Sequence, residues 1–252
     1  MNLFDVKNKK VMITGASRGL GRSIAEGFLK EGCTVVLLSR SSKTEQQILE
    51  YREKNWKAFY IECNLSVRED RSRAFDDAIK LLDGEIDVLI NCAGIQIRHP
   101  AEEFPISDFD EVLELNLTAT YDLCQRAANV MLKKGYGKII NFASMNSFFG
   151  GYTISAYAAS KGAIAQITKA FSNEWAGKGI NVNAIAPGYM STEMNINLIN
   201  DESRYKEISD RIPAHRWGTG EDCVGPCIFL ASRASDYLDG AIIPVDGGYL
   251  NK

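Results

Sequence analysis

The sequence predicts one α/β domain, built as a seven-stranded parallel sheet with helices on both faces. Three observations lead there. Short apolar runs rich in Val, Ile and Leu alternate with longer amphipathic stretches along all 252 residues, the pattern of strands joined by crossover helices. Hydrophobic residues make up 45% of the chain and charged residues 24%, which is enough apolar surface for one sizeable core. No internal repeat, linker or low-complexity segment divides the series, so residues 1–252 are read as a single domain.

Taken in order, strands fall near 10–14, 33–39, 57–62, 86–91, 137–143, 180–185 and 241–245. Apolar residues recur at helical spacing near 20–31, 43–54, 67–82, 107–133, 155–177 and 220–231. A long polar stretch at about 189–216 breaks the rhythm before the last helix, and reads either as a mobile lid or as a surface excursion.

Composition narrows the partners. The formal charge of −3 comes from 29 basic and 32 acidic residues spread through the chain. Without a basic run to track a phosphate backbone, no nucleic-acid partner is expected. No apolar stretch approaches the roughly 20 residues of a membrane helix, and the N-terminus has no signal pattern, so no membrane partner is expected. Cys33, Cys63, Cys92, Cys124, Cys223 and Cys227 form no CxxC pair, and the histidines are His99 and His215 alone. A metal site is therefore not expected, and reduced thiols fit a cytoplasmic protein.

The first candidate for chemistry is Thr14-Gly15-Ala16-Ser17-Arg18-Gly19-Leu20-Gly21, between the first strand and the first helix. Backbone amides at such a helix N-terminus can receive a pyrophosphate, as in Rossmann-type doubly wound folds, although the spacing is GxxxGxG rather than GxGxxG. Tyr157 and Lys161 are four apart in a helical stretch and so share one face. An ammonium beside a phenol favours the phenolate and suits acid–base work. Chance also produces Tyr/Lys pairs, so neighbours must support this one. Ser144 closes the fifth strand, at the sheet end where ligands of open α/β sheets bind, and reads either as a group polarising a carbonyl or as a cap. Asn91-Cys92-Ala93-Gly94 closes the fourth strand, where small residues admit a flat ring or a ribose. Asn116 sits mid-helix, where an asparagine is more often a satisfied polar group.

Together these positions resemble the short-chain dehydrogenase/reductase family over essentially the whole chain. The glycine loop of that family matches Gly15, Gly19 and Gly21, its Asn-Asn-Ala-Gly motif matches Asn91 to Gly94, and its tetrad matches Asn116, Ser144, Tyr157 and Lys161. Pro187-Gly188 matches the turn after strand six. Departures are Cys92 for the usual second Asn, and Asn64 where an Asp often contacts adenine.

The resemblance implies an NAD(P)-dependent oxidoreductase. Tyr157 would exchange a proton with the substrate oxygen, Lys161 would hold the nicotinamide ribose and lower the Tyr157 pKa, Ser144 would bond the substrate oxygen, and Asn116 would hold a relay water. Cofactor contacts are expected from Gly15, Ser17, Arg18, Gly19, Leu20, Gly21, Ser39, Arg40, Asn64, Leu65, Asn91, Ala93, Gly94, Tyr157, Lys161, Pro187, Gly188, Met190 and Thr192. Ser39-Arg40-Ser41 ends strand two, where a basic residue would accept a 2′-phosphate. With Arg18 as a second charge, NADP(H) is expected in preference to NAD(H), which stays possible.

Substrate contacts are expected from Arg98, Ser144, Asn146 and Tyr157. Gly94-Ile95-Gln96-Ile97-Arg98-His99-Pro100 resembles the gluconate 5-dehydrogenase branch of the family. Residues 143–151, 173–176, 186–189, 211–218 and 229–237 resemble its 2-dehydro-3-deoxygluconate dehydrogenase branch, which often uses NAD(H) and so pulls against Arg40. Both act on an anionic sugar acid. Arg98 could meet that carboxylate, or merely brace its loop against Glu102 or Glu103. A 3-oxoacyl-carrier-protein reductase would want a basic docking patch that the sequence lacks. A sensor without catalysis fits poorly, since all four tetrad positions are filled. The family also implies a homotetramer, with 107–133 and 155–177 packed on symmetry mates through a face including Ala163, Phe171 and Trp175.

Overall fold

A computed structural model describes residues 2–41 and 43–251. The chain runs β1 (Lys10–Thr14), α1 (Gly19–Lys30), β2 (Thr34–Ser39), α2 (Lys43–Glu53), β3 (Lys57–Glu62), α3 (Arg68–Leu81), β4 (Val88–Asn91), α4 (Ile106–Leu113), α5 (Ala119–Lys134) and β5 (Gly137–Phe142). It continues with α6 (Ser155–Trp175), β6 (Ile180–Pro187), α7 (Ile196–Ile199), α8 (Glu202–Arg211), α9 (Val224–Ala231) and β7 (Ile242–Val245). All seven expected strands are present, with each end within two residues of the sequence reading.

The strands form one sheet in the order β3-β2-β1-β4-β5-β6-β7, every neighbouring pair parallel. Alternation along the strands divides the core. Val11, Ile13, Val35, Leu37, Val88 and Ile90 face one layer with α1 and α9. Met12, Val36, Leu38 and Leu89 face the other, with α3 and α5. Both faces are buried, which is why these strands read as near-continuous apolar runs rather than as alternating ones. The chain winds outward from β1 to β3 and then returns to place β4 beside β1. That reversal opens a crevice at the carboxyl ends of β1 and β4, the place where doubly wound sheets bind ligands.

The helix expected over 107–133 is interrupted. Residues Glu114–Thr118 form a π-helical turn between α4 and α5. Apolar periodicity does not register a single wide turn, which is why the sequence read the stretch as continuous. The polar stretch at 189–216 carries α7 and α8, and its Ile208 and Ile212 pack with Trp217, Met145 and Tyr249. Its far end is fastened by Arg216, whose guanidinium donates to both oxygens of Asp222 at 2.6 and 2.8 Å. Among the described residues no helix is long and apolar enough to cross a membrane.

Candidate active site

The glycine loop joins β1 to α1 by close backbone approach. A Cβ on Gly21 would lie 2.4 Å from the Gly15 carbonyl oxygen, and one on Gly15, whose φ is +70°, would lie 2.8 Å from Ala93 Cα. Only glycine permits either approach. Arg18 takes the N-cap position of α1 without a side-chain cap, and the first turn holds no acidic residue. The helix end therefore keeps its positive character and its amide donors for an anion. Thr14 Oγ1 accepts from the amides of Cys92 and Ala93, both at 3.1 Å, and so fixes the ends of β1 and β4 against each other. The sequence reading gave Thr14 no role, because its partners come from a strand 78 residues away.

Asn91, Ala93 and Gly94 line the same crevice, but the Asn91 side chain turns inward. Its amide donates to Asn141 Oδ1 at 2.9 Å, and Asn141 in turn donates to Thr168 Oγ1 at 3.0 Å, tying β4, β5 and α6 together. Asn91 thus reaches the crevice through its backbone. Gly94 has no side chain to fill the floor, where a Cβ would come 3.2 Å from Asn116 Oδ1 and 3.8 Å from Lys161 Nζ. Pro187 ends β6, Gly188, Met190 and Thr192 follow it at the same edge, and Thr192 approaches Gly19.

The structure brings the tetrad together. Asn116, within the π-turn, donates to Ile95 O and Ser160 Oγ and accepts from Ile95 N, at 2.9, 3.1 and 2.9 Å. Its side chain is thereby committed to bracing the loop after β4. Ser144 Oγ accepts from the Asn146 amide at 3.1 Å, so Ser144 is a cap as well as a site hydroxyl, and it interacts with Tyr157. Ser147, also unassigned from sequence, donates to Lys161 O at 2.6 Å and holds this turn on α6.

Burial pushes the Tyr157 phenol above its ordinary value of 10, and the opposing hydrogen bond with Ser144 is the smaller effect. Lys161 Nζ donates to Phe142 O at 2.6 Å and lies 5.6 Å from the phenol ring centroid. Burial lowers Lys161 itself to about 8, so the ammonium prevails at neutral pH and is lost above that value. Cys92 is pushed up to about 12 by burial and stays a neutral thiol.

Arg40 is exposed and, among the described residues, has no ion-pair partner. Arg18 instead pairs with Glu193 at 2.6 Å, joining the glycine loop to the excursion after β6. Ser39 is buried and shares a 2.8 Å hydrogen bond with Thr44. The Asn64 amide donates to Asp70 Oδ2, its side-chain oxygen accepts from Ser66 N, and Leu65 beside it is buried. At the mouth, Arg98 donates to Gln96 Oε1 at 2.9 Å and to Thr153 Oγ1 at 3.5 Å. Neither Glu102 nor Glu103 pairs with it, so the bracing partners considered from sequence are not the ones used. Thr153 itself has φ +63°, a strained value for a β-branched residue, and its carbonyl accepts from His99 N.

Residues 9–203 match the family model for short chain dehydrogenase. The chain belongs to this family. This short chain dehydrogenase is 42% identical over 253 residues to the 2-dehydro-3-deoxy-D-gluconate 5-dehydrogenase of Bacillus subtilis, covering 99% of the chain and 97% of that relative. A gluconate 5-dehydrogenase structure from Burkholderia cenocepacia, in complex with NADP and tartrate, is 34% identical with a TM-score of 0.95, covering 100% of this chain and 98% of the other. A structure from Beutenbergia cavernae with bound NADP is 40% identical with a TM-score of 0.95, and the match covers 100% of each chain. As a short chain dehydrogenase with named dehydrogenase and reductase relatives, the chain is an NAD(P)-dependent oxidoreductase acting on CH–OH groups.

Proposed function

We propose that this enzyme interconverts a secondary hydroxyl and a ketone on an anionic sugar acid, with NADP(H) preferred over NAD(H). The observation that carries the substrate class is Arg98, an exposed guanidinium on the loop leaving Gly94 whose recorded partners, Gln96 and Thr153, are both neutral. Such a charge is preorganised for a carboxylate and not spent on one. The similarity to sugar-acid dehydrogenases supports the same reading.

The residues present fit a dinucleotide. The uncapped N-terminus of α1 suits the pyrophosphate, Gly94 leaves room for a flat ring beside Lys161, and the family resemblance gives Asn64 and Leu65 the adenine. When bound, the nicotinamide accepts or supplies the hydride. Ser144 orients the substrate oxygen, and Tyr157 holds or takes the proton on it. Lys161, carrying a charge at neutral pH, holds the ribose. Asn146, whose amide donates to Ser144 Oγ, would meet the substrate next to it.

Hexonates and keto-hexonates, assayed with each cofactor, test the function. Activity confined to acyl-thioester ketones would overturn it. For the cofactor, Arg40→Asp should shift the NADP(H):NAD(H) ratio of specificity constants toward NAD(H) by about one to two decades, or roughly 1.5–3 kcal/mol for a charged hydrogen bond. An unmoved ratio would make Arg40 a bystander. Support for Arg18 as a second 2′-phosphate contact is weaker, since Glu193 already neutralises it.

The proposal extends to a cytoplasmic homotetramer. The unpaired cysteines among the described residues suit a reducing compartment. Phe171 and Trp175 are not the free apolar face anticipated: they stack at 4.4 Å, Tyr121 packs on Phe171 at 5.1 Å, and both are already buried within the subunit. Beside them a cleft of about 220 Å³ runs between α5 and α6, lined by Tyr121, Gln125, Glu174 and Trp175, and half-exposed Tyr121 is the group left for a second copy to cover. Light scattering should return a tetramer mass, and a monomer mass would remove this part of the proposal.

A further inference from the structure

Arg71, the fourth residue of α3, is fully buried. Its guanidinium meets three separate elements. Nη1 donates to the Leu65 carbonyl and, at 3.0 Å, to Glu114 Oε1, while Nε donates to Asp122 Oδ2 at 2.6 Å. Nη2 is buried without a protein partner. Burial works against ionisation of the Asp122 carboxyl, yet hydrogen bonds from Arg71 and Arg126 hold it below the usual carboxylate range. A buried cation of this kind adds little stability over an apolar side chain of similar volume. Its connections are more informative than its contribution to stability.

Leu65 lies in the loop after β3, next to Asn64, where the nucleotide reading of the crevice puts the adenine. Glu114 opens the π-turn, two residues before Asn116, and Asn116 holds Ile95 through both its amide atoms. A π-turn is a poor helical geometry that persists where its surroundings over-determine it. Here the Arg71–Glu114 pair fixes its start, and the Asn116 bonds fix its middle.

We propose that Arg71 is a positioning residue that ties the adenine-side loop to the π-turn, so that a nucleotide seated against Asn64 and Leu65 also steadies Asn116 and the loop it braces. The proposal rests on the nucleotide reading of the crevice, and it assigns to one buried side chain the coupling between the adenine end and the catalytic end.

The test uses the full chain and ADP-ribose, which carries the adenine end without nicotinamide. Hydrogen exchange is followed over residues 63–66 and 114–118, with affinity measured by calorimetry. In the wild type, ADP-ribose should slow exchange in both segments. Because loss of a buried cation can unfold a chain, the deciding variant is Glu114→Gln, which keeps the shape and weakens only the link to the π-turn. It should retain protection at 63–66 but lose about tenfold of the protection at 114–118. Asp122→Asn, on the same guanidinium but off the π-turn, should keep both. Arg71→Met should weaken ADP-ribose binding about tenfold, with Arg71→Lys recovering part of it. Full ligand-induced protection at 114–118 in Glu114→Gln would overturn the coupling alone. No protection at 63–66 in the wild type would overturn the adenine placement and the proposal with it.

Discussion

Replacing Tyr157 with Phe should lower turnover by roughly 10²–10⁴-fold, the range lost with a general acid–base group, while cofactor affinity changes by less than about threefold. The substitution removes one oxygen and leaves the ring, so Lys161 keeps its bond to the Phe142 carbonyl and the turn at Ser144 keeps its contacts with Asn146 and Ser147. Nothing in the nucleotide crevice is disturbed. Turnover lost together with cofactor binding would point to collapse of the site rather than loss of a proton donor, and unchanged turnover would remove Tyr157 from the chemistry. Cofactor titration by fluorescence alongside steady-state rates separates these outcomes.

Arg98→Met should raise the Michaelis constant for a hexonate by about one to two decades, equivalent to roughly 1.5–3 kcal/mol for a charge-assisted contact, with kcat much less affected. Methionine keeps much of the bulk that fills the loop and removes the guanidinium fork. Neutral polyols and small ketones should be turned over nearly as before. The alternative is that Arg98 matters only through its bonds to Gln96 and Thr153. Then the loop would loosen for every substrate, and acidic and neutral substrates would suffer alike. Equal losses would end the carboxylate assignment.

Strands were legible because sheet burial imposes a local rule: Val35 and Leu37 go to one layer, Val36 and Leu38 to the other, and a run of apolar residues results. Ser144 stood out because it follows a strand end, and Tyr157 and Lys161 because of their helical spacing, whereas Asn116, inside the π-turn, came only through the family resemblance. What escaped depends on partners far away in sequence. The wide turn at 114–118 leaves no periodic trace, and the inward turn of Asn91 follows from Asn141, which is 50 residues on. The bond from Lys161 to a carbonyl at the end of β5 likewise depends on a residue 19 positions away. Phe171 and Trp175 looked free for a subunit contact because helical spacing cannot show that Tyr121, on another helix, already packs beside them.

Strand order also shapes how the molecule comes into being. β1 emerges first from the ribosome yet ends at the middle of the sheet, between β2 and β4. Residues 10–62 can pair β1 with β2 and β2 with β3 early, but this half-sheet leaves the other edge of β1 bare until Val88–Asn91 arrives. Every strand contact is parallel and therefore long in sequence separation, which makes folding slow and exposes a hydrophobic edge while it waits. The pocket between β1 and β4 exists only once both halves have met. Nascent chains ending before β4 should therefore be prone to aggregate and unable to be rescued by nucleotide, whereas chains that have completed the central pair gain a ligand-stabilised native state.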